Sequence, residues 1–234
     1  MKRLSRVTLL FSFLFTLLII LPGLLSAQFG PYPLMKNGDV LDLATPLILI
    51  PLYWLMFQLA PGQLPRQGQM LLFMVLAAAW AAGQGMHLSG NSIGHLLGDL
   101  EGTDVYQLTS FYDEDLSHFL WHSGVIGLSA LILFRQWRNP FTGPAEGWGA
   151  LMISALLYGF TYFAMIIEGG TVVLGVPFAL AVTLFGLIWG RKHFRQQPMT
   201  AFFVTAYWLA TLLVIIWFIW QGGLPEFSEV GIIE

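Results

Sequence analysis

The sequence predicts an all-α, polytopic membrane bundle of seven transmembrane helices, with the N-terminus inside and the C-terminus outside. Three observations predict it. The 234 residues are 56% hydrophobic and only 10% charged, against about 25% charged in a soluble domain. Apolar runs of about 20 residues, the length a helix needs to cross a bilayer, recur along the whole chain. The basic residues gather on one side of those runs, and no stretch carries the alternating pattern of a membrane barrel.

The runs in order are Val7–Leu25, Leu43–Ala60, Met70–Gly90 (with a polar helical extension), Asp115–Phe134, Trp148–Ile167, Val172–Gly190 and Thr200–Trp220. Together they make one transmembrane domain over residues 1–234. The first run has two readings. "MKRLSR" before an apolar stretch and "LLSAQ" after it suit a signal peptide cleaved after Ala27. Leu25 breaks the small-residue rule for that cleavage, which favours a retained first helix. Pro46, Pro51 and Pro177 should bend the second and sixth helices.

Orientation follows from charge. Lys2, Arg3, Arg6, Arg66, Arg135, Arg138, Arg191, Lys192 and Arg195 share one side, and only Lys36 falls on the other. That is the positive-inside pattern. His193, in "RKHFR", belongs to this basic inner side. The net charge of −3 gives no reason to expect a nucleic acid or another polyanion as partner. With no cysteine in the chain, disulfides, thiolate zinc sites, iron–sulfur clusters and blue-copper sites are excluded.

Four of the five histidines lie in two neighbouring stretches, "GMHLSGNSIGHLLGD" and "YDEDLSHFLWHSG". On the third helix His87, Asn91 and His95 recur every fourth residue. On the fourth, Glu114, His118 and His122 do the same. Residues four apart share a helix face and rise about 6 Å per step. Antiparallel helices should therefore set His87 level with His122, Asn91 with His118, and His95 with Glu114. Gly90, Gly94 and Gly98, with Gly83 and Gly85 below them, suit close helix approach. Asp113 and Asp115 read as N-terminal caps of the fourth helix. Glu114 reads equally as ligand or cap, and Glu168 in "MIIEGG" could complete the site from the fifth helix.

Polar groups in hydrocarbon are costly and tend to be functional. The pattern points to a metal site of His87, His95, His118, His122 and Asn91. A divalent metal with an open position would activate water, with Glu114 or Glu168 as general base. Zinc is favoured over iron. The expected function is metal-dependent hydrolysis of a lipid or other membrane-associated substrate. A b-type haem held by His87 and His122, an iron-dependent redox protein, a non-catalytic membrane component and an ion or proton translocator remain open beside it. The expected setting is a bacterial cytoplasmic membrane, with the site on its outer face and the lipid bilayer as partner.

Seven spans with an interfacial histidine and carboxylate site resemble, in architecture, the membrane zinc hydrolases that include alkaline ceramidases and progestin/adiponectin receptors. That class carries a histidine pair four apart on its last helix. Here the last helix, "TAFFVTAYWLATLLVIIWFIW", has no histidine, so the resemblance assigns no residue.

Overall fold

A computed structural model describes residues 2–60 and 64–232; the side chains of residues 190–193, His193 among them, lie outside the described set. Seven helices among the described residues are long and apolar enough to cross a membrane. They are α1 (Lys2–Ile20), α2 (Asn37–Leu59), α3 (Gln67–Gly94), α4 (Asp104–Arg138), α5 (Trp148–Glu168), α6 (Val172–Trp189) and α7 (Pro198–Gln221). The expected seven-helix membrane bundle is therefore the observed architecture.

α3 packs most extensively on α4, α5 on α7, and α1 on α5. Phe11 and Phe15 of α1 are fully buried, so the first helix is an integral part of the packed core. Helix continues through Pro46 and Pro51 in α2 and through Pro177 in α6.

In lipid, helices associate through close packing and interhelical hydrogen bonds rather than through the hydrophobic effect. Both devices are visible. At the centre, Tyr53, Ser129, Tyr158 and Tyr207 join four helices through their hydroxyls. Tyr53 is 2.8 Å from Ser129 and 3.1 Å from Tyr158. Tyr158 is 2.9 Å from Ser129 and 3.2 Å from Tyr207. At the end of the bundle near Arg66, Arg135 Nη1 donates to the Phe57 carbonyl at 2.7 Å, and Gln136 Nε2 donates to Ala60 at 2.5 Å. Gln136 Oε1 accepts from the Met199 and Thr200 amides at the start of α7.

Close packing is seen on the α3–α4 seam, where only some of the glycines take part. A Cβ on Gly83 would stand 2.5 Å from the Trp121 amide nitrogen, and one on Gly90 would stand 2.7 Å from Asp113 Cβ. From the other side, Gly124 meets the α3 backbone at Leu76 and Trp80. Gly85, Gly94 and Gly98 face open space. The contact face is thus set by glycines seven apart, two helical turns, and not by the four-residue spacing of Gly90, Gly94 and Gly98.

α4 departs most from expectation. It starts at Asp104, eleven residues before the expected Asp115, because "DVYQLTS" is helical but polar and so invisible to hydropathy. It is α-helical to Ser110, a π-turn over Phe111–Leu116, and α-helical again from Ser117. Asp113, Glu114 and Asp115 therefore sit inside the helix. The capping role expected for them is corrected: no free helix N-terminus exists at that point.

Candidate functional site

The π-turn builds the site. Such bulges insert one extra residue into the helix and recur at functional positions. Here the bulge turns Asp113 onto the face that meets α3 and leaves Glu114 at the rim. Asp113 is 8% exposed, whereas the Glu114 side chain is 59% exposed. Gly90 permits this approach, since any side chain there would strike Asp113. Asp113 Oδ1 lies 2.8 Å from His87 Nδ1. The two side chains stand in close polar contact.

From that pair a row of rings runs along α4. His87 and His118 are 4.9 Å apart between centroids, and His118 and His122 stack at 5.7 Å. Trp121 contacts all three imidazoles. The row ends at the turn between α5 and α6, where His122 Nδ1 is 2.5 Å from Thr171 Oγ1. Gly169 makes room for this contact, because a Cβ there would stand 2.5 Å from His122 Cε1. His118 Nδ1, His122 Nε2 and Trp121 Nε1 are buried without a hydrogen-bond partner among the described residues.

The expected pairing of levels is corrected. His87 meets Asp113 and His118, not His122, because the glycine seam fixes the register: Gly83 lies against Trp121 and Gly90 against Asp113. His118 stands between His87 and His122, in ring contact with both.

The remaining residues separate. His95 closes the end of α3 and receives Lys36, whose Nζ is 2.7 Å from Nε2 and 3.3 Å from Nδ1. An antiparallel bridge between Gln28 and Lys36 folds the α1–α2 loop to present that lysine. Burial, and then the Lys36 charge, lower the pKa of His95 from the usual histidine value. Glu168 turns to the C-terminal tail, where its Oε2 accepts from the amides of Phe227 at 2.8 Å and Ser228 at 3.3 Å. Asn91 lines an open cleft of about 250 Å³ together with His95, Tyr106, Asp113 and Glu114.

Two residues missed by sequence reasoning also belong here. Asp42 of α2 is buried, accepts from Gln84 Nε2 at 3.3 Å, and lies within electrostatic reach of His87 and Asp113. An aspartate one residue ahead of the apolar run Leu43–Ala60 was the available signal. Thr171 had none, since only the folded turn brings it to His122.

The metal-dependent hydrolase reading is overturned, and its zinc and metal-binding assignments find no support. Among the described residues no group of three or more histidine, aspartate or glutamate side chains could hold a metal ion. The imidazoles face each other in a row, and each polar partner serves one of them. Glu114 and Glu168 thereby lose the metal-bound water for which they were proposed as bases.

Comparison with known proteins points elsewhere too. The chain is similar to the ceroid-lipofuscinosis neuronal protein 6 homolog of Canis lupus familiaris, 24% identical across 83% of this chain and 68% of that protein. It is also similar to ceroid-lipofuscinosis neuronal protein 6 of Homo sapiens, 25% identical with the same coverage. These animal relatives overturn the expected bacterial cytoplasmic membrane, and neither is named as a hydrolase. No described protein family and no solved structure matches the chain.

Proposed function

We propose that the protein is a membrane-resident binding protein whose cleft receives the polar end of an amphiphile. The observation that carries this reading is the buried Asp113 carboxylate, paired with His87 and lining a cleft at the end of the spans. A buried charge with a single close partner is expensive to maintain. A cleft of about 250 Å³ lies just below the usual range for small-molecule pockets, about 300–1,000 Å³. That scale suits a headgroup whose tails stay in lipid.

α4 supports lateral entry. Val105, Leu108 and Tyr112 are exposed on one face, as a lipid-facing surface requires. Tyr106, Thr109, Ser110 and Asp113 line the cleft on the other.

Gly94 provides the test. It lines the cleft, and a Cβ on it meets nothing within 4 Å, so Gly94→Leu should fill the cleft without disturbing the helices. Native mass spectrometry of protein purified in mild detergent should find lipid retained by the wild type and lost by Gly94→Leu. Equal retention by both would remove the cleft from consideration.

A further inference from the structure

The lining of this cleft is electrically divided. One wall carries the carboxylates of Asp113 and Glu114. The other carries His95, backed by the Lys36 ammonium at 2.7 Å. Tyr106 offers an aromatic ring beside the acidic wall, and aromatic faces attract ammonium groups. A purely anionic headgroup would meet two carboxylates, and a purely cationic one would meet Lys36. Neither suits the whole cleft.

We infer that the cleft takes a zwitterionic phospholipid headgroup, with its ammonium against Asp113 and Glu114 and its phosphate against Lys36 and His95. The inference rests on the binding role proposed above. Lys36 Nζ lies against both ring nitrogens of His95, and its remaining ammonium hydrogens are left to meet phosphate oxygens. Glu114, half exposed at the rim, is placed to meet the ammonium first, and Asp113 lies deeper.

The test uses full-length protein, delipidated in detergent and offered one lipid at a time. The probes are phosphatidylcholine, phosphatidylglycerol and a diacyl trimethylammonium lipid, scored by native mass spectrometry. The wild type should retain phosphatidylcholine about tenfold over either singly charged lipid, the scale of one charge-assisted contact. Glu114→Gln should lose the discrimination against phosphatidylglycerol, and Lys36→Met the discrimination against the cationic lipid. Soluble glycerophosphocholine should displace the bound lipid better than choline or inorganic phosphate alone.

Equal retention of all three lipids by the wild type, with Gly94→Leu still abolishing retention, would overturn the zwitterion while leaving the binding role intact. Retention that Gly94→Leu does not alter would overturn both. Displacement by choline as strong as by glycerophosphocholine would remove the phosphate contact.

Discussion

The central hydroxyl knot and the histidine row are both buried polar clusters, yet they are wired in opposite ways. In the knot, Tyr53, Ser129, Tyr158 and Tyr207 each find a partner within the cluster. In the row, rings touch rings, and His118 Nδ1 and His122 Nε2 find no hydrogen-bond partner among the described residues. A satisfied buried network specifies and stabilises a fold, whereas each unmet buried group costs free energy. The knot therefore holds the helices in place. The row is a cost that packing must offset, as expected where polar groups are kept for something other than stability.

The seam that joins α3 to the row should give the largest effect. Gly83→Ala places a Cβ against backbone atoms of Ser117 and Trp121, and overpacking of this kind costs about 1–3 kcal/mol. Gly85→Ala, two residues away and facing open space, should be nearly silent. Thermal unfolding in detergent compares them. Similar midpoints for the two variants would mean that the seam does not set helix register.

Next comes the contrast itself. Tyr158→Phe removes a hydroxyl that contacts Tyr53, Ser129 and Tyr207, and should destabilise by about 1–3 kcal/mol. His118→Leu removes a buried ring whose Nδ1 has only a 4.0 Å contact with the exposed Glu114 carboxylate. It should change stability much less. If His118→Leu proved the more damaging, the row would be a structural element and the comparison would fail.

The sequence reveals these two regions unequally. Hydropathy alone marks all seven spans, because a bilayer demands long apolar helices and little else does. The α4 extension escapes it, since Asp104–Ser110 is helical but polar. The histidines could be found by their spacing, but their partners could not. One extra residue in the Phe111–Leu116 turn exchanges Glu114 for Asp113 on the inner face, and no periodicity reports a π-turn in advance. The glycines pointed to close approach, but the four-residue repeat of Gly90, Gly94 and Gly98 did not show which of them meet α4; only the neighbouring backbone distinguishes Gly83 and Gly90 from Gly94 and Gly98. Asp42 and Thr171 join the site across helices, through tertiary packing that spacing along one helix does not encode.

The smallest effect belongs to the tail that borders the row. Trp217 Nε1 donates to the Pro225 carbonyl at 3.0 Å, and Phe227 packs on Trp217 and Phe163. Glu168 holds the Phe227 and Ser228 amides. Burial pushes the Glu226 carboxyl up to about 7, helped by the charges of Glu168, Glu114 and Glu229. A carboxyl whose pKa is raised on folding binds its proton more tightly in the docked state. Docking is then strongest below the ordinary glutamate range and weakens as pH rises through about 7. Glu226 is only partly buried, so solvent screening keeps the effect small. Hydrogen exchange at the Phe227 and Ser228 amides, corrected for intrinsic rates, should show protection falling between about pH 5 and about pH 8. Glu226→Gln should flatten that dependence. Protection that stays constant in the wild type, or a slope that survives in Glu226→Gln, would separate the docking of the tail from the Glu226 carboxyl.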